Sequence, residues 1–234
     1  MENDIQFYRE EMEKTIAYLK GKKKVLFLTT SNRWSGEHGG EMAKSTQLAR
    51  RIAEKVGGVE VIDIPALKIH PCEGNVSTAR GNRCGLLEAK LNDPEKNPSG
   101  FHRCWASINN SDDELWKVSK PLLEADCVVF FGSVRWGQLN SFYQKLIERL
   151  TWIENRHSTL GENSLLEKTE AGLIVVGQNW NGKNIMKMQK QVLSFFGFQV
   201  KDELCWNWQF TEDENDESME SYNAAIGEFK KTFL

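Results

Sequence analysis

The chain has 234 residues, of which 40% are hydrophobic and 27% are charged, a composition typical of a globular protein that can bury a core. Its 30 basic and 33 acidic residues are mixed along the chain and give a formal net charge of -3, which argues against nucleic acid as a partner. The charged first 20 residues lack the apolar run of a secretory signal, and no later stretch is long enough to span a membrane. We therefore expect a cytoplasmic protein with no membrane partner.

Apolar residues follow either a helical or a strand-like spacing along most of the chain. Ile5, Met12 and Ile16 belong to a pattern that predicts an N-terminal helical extension within residues 1–22. Further on, continuous apolar runs predict buried strands, and three-to-four spacing predicts helices. The strands are expected at 24–30, 58–64, 126–132, 171–177 and 198–206, and the helices at 41–56, 112–124, 138–153, 183–196 and 217–231.

Strands that alternate with helices predict an α/β fold, a doubly wound five-stranded parallel sheet with helices on both faces. We expect a single domain over residues 1–234. Residues 65–110 are rich in Gly, Pro, Asn and Arg and have weak periodicity, so they predict a long loop or small insertion near the ligand site. The acidic segment 212–220 is interpreted as a solvated loop before the last helix.

Ligands of doubly wound sheets bind outside the carboxyl ends of the strands, and three loops there are candidates. The first predicted strand is followed by Ser31 and Arg33, and a Gly-rich segment then leads to Ser45 and Thr46 at a helix start. Hydroxyl groups, a guanidinium and free helix amides suit a phosphate monoester. The G-x-G-x-x-G fingerprint of dinucleotide-binding folds is absent.

The loops after the third and fourth predicted strands suit a flat heteroaromatic ring. Gly132 and Gly137 allow a tight turn, in which Arg135 and Trp136 can lie against such a ring. The next loop, 177–179, again begins with a glycine and offers amide hydrogen bonds. Together the three loops predict a phosphate pocket beside a ring pocket.

Over roughly residues 24–200 the chain resembles the flavodoxin-like NADPH-dependent FMN reductase family, which is related to the iron–sulfur flavoproteins. The first loop is similar to the family's phosphate-binding Ser-x-Arg pattern, and Gly132–Gln138 resembles its flavin-ring turn, although the family's proline is missing and the turn is one residue shorter. The resemblance implies a flavodoxin-like strand order of 2-1-3-4-5. The FMN-binding residues that it implies are Ser31, Arg33, Ser45, Thr46, Ser133, Val134, Arg135, Trp136, Gly137, Gly177, Gln178 and Asn179.

The resemblance also implies an activity, in which electrons pass from NAD(P)H through FMN to a small acceptor such as a quinone or free flavin. No catalytic acid or base is assigned, because the flavin carries the chemistry. Relatives are commonly homodimers or homotetramers. The alternatives are an FMN-binding electron carrier or redox sensor that does not react with nicotinamide, and a protein that binds another phosphorylated ligand.

The cysteines and histidines include candidate metal ligands. Three of the five cysteines lie in or near the long insertion, at Cys72, Cys84 and Cys104. Their spacing is too open for an iron–sulfur cluster, which needs four thiolates close together. His70 with Cys72 and His102 with Cys104 form His-x-Cys pairs that suit zinc, but the spacing typical of zinc sites is absent. We therefore expect neither a metal nor a disulfide framework.

Overall fold

A computed structural model of the chain describes residues 2–33 and 40–234. In these ranges the strands are β1 (Val25–Thr29), β2 (Val59–Asp63), β3 (Cys127–Arg135), β4 (Gln138–Leu139), β5 (Glu170–Gly177) and β6 (Gln199–Gln209). The helices are α1 (Glu2–Leu19), α2 (Lys44–Val56), α3 (Trp105–Asn109), α4 (Trp116–Glu124), α5 (Ser141–Ser158), α6 (Gly182–Phe195) and α7 (Met219–Phe233). No helix among the described residues is long and apolar enough to cross a bilayer.

The sheet has the order β2-β1-β3-β5-β6, and these five strands are parallel to one another. The prediction of a doubly wound α/β fold with strand order 2-1-3-4-5 is therefore confirmed for the parallel strands. The two-residue strand β4 was not predicted; it runs antiparallel to β3. Because β4 occupies the start of the helix expected at 138–153, α5 begins later, at Ser141, and continues to Ser158.

Both faces of the sheet are buried at the central strands β1, β3 and β5, which explains why their sequences are mostly apolar. In β1, Leu26 and Leu28 belong to a core shared with α4, α5 and α6. The alternate residues Val25 and Phe27 belong to a second core, shared with α1, α2 and α7. This alternation follows from the two-residue repeat of a strand, and the N-terminal helix completes the second core.

Residues 65–110 pack against α5 and the start of α4 rather than lying free. Asp113 and Arg149 form an ion pair at 2.7 Å between Oδ1 and Nη1, and both side chains are fully buried. Arg149 also donates to the backbone oxygen of His70 at 2.6 Å. Burial raises the pKa of the Asp113 carboxyl, but the hydrogen bond and charge of Arg149 lower it, and the net result is a lowered pKa. The pair thus fixes the insertion to α5.

We expect Asp113→Asn to lower the free energy of unfolding by about 3 kcal/mol, because it leaves the buried Arg149 charge without a counter-ion. Asp202→Asn is the matched control, since the Asp202 side chain is 87% exposed and its ion pair with Lys190 lies outside the insertion; it should leave the free energy of unfolding nearly unchanged. Urea unfolding followed by circular dichroism measures both. Equal effects of the two substitutions would show that the buried pair does not anchor the insertion.

Candidate functional site

Two adjoining cavities lie at the carboxyl ends of β1, β3 and β5, the edge at which ligands of such sheets bind. The first, here called the cationic cavity, has a volume of about 330 Å³ and is lined by Arg33, Ala43, Lys44, Ser45, Ser133, Val134, Arg135, Val176, Gly177, Gln178 and Tyr222. The second, here called the aromatic cavity, has a volume of about 840 Å³ and is lined by Val134, Arg135, Trp136, Gln178, Asn179, Trp180, Glu214, Asn215, Glu217 and Tyr222. The two share part of their walls.

The loops that carry these residues are tied together by Asn140. Its Nδ2 donates to the backbone oxygen of Thr30 at 2.6 Å, and its backbone N–H donates to the oxygen of Ser133 at 3.0 Å. The Thr30 hydroxyl in turn donates to the oxygen of Phe131 at 2.9 Å. The loop after β1 is therefore held directly beside the end of β3, and their side chains face one space.

The N-terminus of α2 supplies hydrogen-bonding groups to the cationic cavity. The residue before the helix, Ala43, provides no side-chain cap, so the first amides of α2 have no side-chain acceptor. Ser45 lines the cavity and donates from Oγ to Ser31 Oγ at 2.7 Å. Thr46 is only 4% exposed, and its hydroxyl has no hydrogen-bond partner among the described residues. A buried hydroxyl without a partner is costly, and Thr46 directly follows the cavity-lining Ser45.

Three positive side chains converge on the cationic cavity: Arg33, Lys44 and Arg135. Within residues 2–33 and 40–234 none of them forms an ion pair, and the nearby Glu41 pairs with Lys230 at 2.8 Å instead. Burial lowers the pKa of Lys44 and the charges of Arg33 and Arg135 lower it further, whereas the Glu41 carboxylate raises it, and the net result is a lowered pKa. An anion in this cavity would relieve this repulsion, and a phosphate has the charge to do so.

A hairpin between β3 and β4 builds the wall shared with the aromatic cavity. Its turn residues, Trp136 and Gly137, have φ values of 50° and 68°, which is the geometry of a tight two-residue hairpin. The turn predicted over Gly132–Gln138 is thus confined to two residues, and Gly132 lies inside β3. Gly137 leaves room for an aromatic ring, since a Cβ there would lie 2.5 Å from the Trp180 side chain.

Trp136 is 92% exposed, and this position at the rim of the aromatic cavity is the most exposed large hydrophobic side chain among the described residues. The indole of Trp180 packs over Gly137, while Asn181 donates from Nδ2 to the Gly137 oxygen at 2.6 Å. The two indoles thus lie at the same hairpin and line the same cavity. Such exposed rings favour stacking with a flat ligand.

The loop after β5 meets the acidic segment that follows β6. Asn179 donates from Nδ2 to Glu217 Oε1 at 2.9 Å and to the Glu214 backbone oxygen at 3.1 Å. Its amide therefore holds the acidic segment. Gln178 donates to Ser221 Oγ at 3.0 Å, whereas its buried Oε1 has no partner among the described residues. The ring-binding role expected for these two amides stays a prediction.

The structure brings most of the predicted site residues together. Nine of the twelve line the two cavities: Arg33, Ser45, Ser133, Val134, Arg135, Trp136, Gly177, Gln178 and Asn179. Ser31, Thr46 and Gly137 lie directly behind them. Residues 34–39 of the predicted Gly-rich loop lie outside the described residues.

Eight lining residues are not among the twelve predicted: Ala43, Lys44, Val176, Trp180, Glu214, Asn215, Glu217 and Tyr222. The acidic segment is exposed, in agreement with the interpretation as a solvated loop, but its Glu214 and Glu217 also line the aromatic cavity. The position of this segment could have been predicted, because it follows β6 and ligands of such sheets bind at the carboxyl ends of the strands. Conversely, residues 65–110 contribute no lining residue, so a covering role for this segment has no support in the contacts described.

The cysteines of the insertion lie apart from both cavities. Among the described residues no group of three or more His, Cys, Asp or Glu side chains is arranged to hold a metal ion. Burial, together with the nearby Cys104 and Cys72, raises the pKa of the Cys84 thiol to about 12. A thiol with so high a pKa is a poor nucleophile at neutral pH.

We expect Lys44→Met to stabilise the ligand-free protein by about 0.5–1 kcal/mol, because it removes a half-buried charge that two other cations repel. Lys55→Met is the matched control on the same helix, where the lysine pairs with Glu13 at 2.7 Å; it should not stabilise. Urea unfolding at low ionic strength compares them. Destabilisation by Lys44→Met would mean that the cation cluster is not a source of strain.

The sequence matches no protein-family model and no curated protein. Solved structures do match. RosB with the bound intermediate 8-demethyl-8-formylriboflavin-5'-phosphate aligns with a TM-score of 0.53 at 16% identity, over 90% of this chain and 74% of that chain. Azoreductase AzrA aligns with a TM-score of 0.51 at 14% identity, over 90% of this chain and 97% of that chain. At these identities the comparison establishes the fold, and the chain has the flavodoxin-like fold that its resemblance predicted.

Proposed function

We propose that this protein is an FMN-dependent oxidoreductase that takes electrons from NAD(P)H and passes them to a small acceptor such as a quinone or free flavin. The observation that carries the proposal is the pairing of two sites. A cavity lined by three cations, none of which forms an ion pair with a described residue, opens into a cavity walled by aromatic rings. FMN combines the same two features, a phosphate monoester and a flat ring system.

The residues of the cationic cavity fit the FMN phosphate. Arg33 and Lys44 offer positive charge and form no ion pair with a described residue, and the uncapped start of α2 offers amide donors. The Thr46 hydroxyl, which has no partner among the described residues, supplies a further donor. Ser133 Oγ, on the β3 side, is likewise buried without a described partner. These are groups that an FMN phosphate or its sugar chain would satisfy.

The comparisons support the proposal without deciding the reaction. The RosB structure, which shares the fold, holds a riboflavin 5'-phosphate derivative, and AzrA is an azoreductase. Both are therefore consistent with a flavin at the carboxyl edge of this sheet. The identity of the donor and of the acceptor rests on the resemblance of the sequence motifs alone.

The protein's own contribution to such a reaction is to bind and orient. Bound FMN supplies the hydride and electron chemistry. The cations hold the phosphate, the hairpin at Trp136 and Gly137 sets one wall for the ring, and Gln178 presents its unpartnered Oε1 as an acceptor. The aromatic cavity is large enough to leave room for a second flat molecule beside a ring. No side chain in the site is assigned as a catalytic acid or base.

We expect Thr46→Val to weaken FMN binding about tenfold, because it removes a hydroxyl that would donate to a charged phosphate. The ligand-free protein should keep its stability, since that hydroxyl has no described partner to lose. Thr232→Val is the control: Thr232 is equally buried, but its hydroxyl donates to the Glu228 oxygen at 2.7 Å, far from the cavities. Quenching of FMN fluorescence gives each affinity. An unchanged affinity for Thr46→Val would remove Thr46 from the phosphate site.

The function itself is tested by an anaerobic titration of the FMN-loaded protein with NADPH and then NADH, followed through the absorption bands of oxidised flavin. Rapid bleaching is the expected result, and multiple turnovers on adding a quinone would complete the assignment. Flavin that binds but stays oxidised would favour the electron carrier or redox sensor. A protein that does not bind FMN would overturn the proposal and favour another phosphorylated ligand.

A further inference from the structure

The aromatic cavity carries more negative than positive charge. Glu214 and Glu217, both exposed to solvent, line this cavity, and neither forms an ion pair with a described residue. Arg33 and Lys44 line only the cationic cavity, whereas Arg135 lines both. Two carboxylates and one guanidinium therefore leave the aromatic cavity with a net negative charge.

Hydrogen bonds hold Glu217 in the wall of the aromatic cavity. Glu217 accepts hydrogen bonds from Asn179 Nδ2 at 2.9 Å and from the Tyr222 hydroxyl, and the second of these raises the pKa of Tyr222. These neutral donors fix the carboxylate in place without cancelling its charge. The Glu214 side chain has no hydrogen-bond partner among the described residues, while its backbone oxygen is held by Asn179. One carboxylate is thus held by neutral donors, and the other is available to a ligand.

Aromatic side chains form much of the same cavity wall. Trp136, Trp180 and Tyr222 all line the same cavity as the two carboxylates. The faces of aromatic rings attract cations, and the attraction grows when the ligand is partly withdrawn from water. Rings and carboxylates therefore act in the same direction on a flat, positively charged molecule. Arg135 opposes this effect, but it also faces the cationic cavity, where a bound phosphate would offset its charge.

From this arrangement we infer that the aromatic cavity binds planar aromatic cations in preference to planar aromatic anions of similar size. The inference rests on the proposed function, because it names the class of electron acceptor that the site would favour. Flat cationic ring systems, such as phenothiazinium compounds, belong to that class. Sulfonated rings of the same size would meet the two carboxylates and bind poorly.

Equilibrium binding tests the preference without turnover. The FMN-loaded, oxidised protein is dialysed at low ionic strength against methylene blue, a three-ring cation, or against anthraquinone-2-sulfonate, a three-ring anion. We expect methylene blue to bind about tenfold more tightly, and the difference to shrink as salt is added. Equal affinities, or tighter binding of the anion, would overturn the inference.

Charge-neutral variants locate the effect. Glu214→Gln should lower the preference about threefold, and Glu214→Gln combined with Glu217→Gln should nearly abolish it. Glu220→Gln is the matched control, since Glu220 is exposed at the start of α7, carries the same charge and does not line the cavity. If Glu220→Gln lowers the preference as much as Glu214→Gln, the dye binds to the acidic surface in general and the inference fails.

These measurements can overturn either proposal while the other stands. FMN affinity is measured on the same samples, and ligand-free protein is dialysed against the same two dyes. A cation preference that falls in Glu214→Gln and disappears in the double variant, in a protein that binds no FMN, would overturn the proposed function and leave the binding preference standing. Tight FMN binding with no cation preference would do the reverse.

Discussion

The parallel pairing of β1 with β3 is the constraint on which the site depends. Because Thr29 lies opposite Phe131, both strands reach the same edge of the sheet together. Asn140 then closes this edge by donating to the Thr30 oxygen from its side chain and to the Ser133 oxygen from its backbone. The loop after β1 and the β3–β4 hairpin are therefore positioned by buried hydrogen bonds, and the position of each depends on the other.

The carboxyl edge departs from the rule that polar groups are satisfied inside a protein. Three cations share one cavity, a helix begins without a side-chain cap, and the buried hydroxyl of Thr46 lacks a described partner. Each feature costs stability in the ligand-free chain, and all three are met by an anion with several acceptor oxygens. Their coincidence at one place is a stronger indication of a ligand than any one of them. By contrast, the buried Arg149 charge, which lies outside both cavities, is paired with Asp113.

The fold was largely predictable because its central strands are buried on both faces, so apolar runs such as 126–132 stand out and alternate with helical patterns. The position of Ser31, Arg33, Ser45 and Thr46 at the carboxyl edge was predictable for a related reason, since they lie between the end of a buried strand and the start of the next helix; their phosphate-binding role stays a prediction. The hairpin at Trp136 was not, because its geometry depends on a positive φ at a tryptophan, which sequence patterns disfavour. The acidic residues Glu214 and Glu217 were missed because charge runs are usually solvated, and only the strand order places this one against the site.

The hairpin and the acidic segment together explain the shape of the aromatic cavity. The absence of a Cβ at Gly137 lets the Trp180 indole lie against the turn backbone, and the positive φ at Trp136 leaves the second indole facing solvent. Asn179, the residue before Trp180, is in turn held by Glu217. The positions of the aromatic walls and of the carboxylates are thus coupled through one short loop, 177–181. A flat ligand in the aromatic cavity therefore meets two carboxylates as well as aromatic rings, which makes the charge of the ligand, as well as its shape, a determinant of binding.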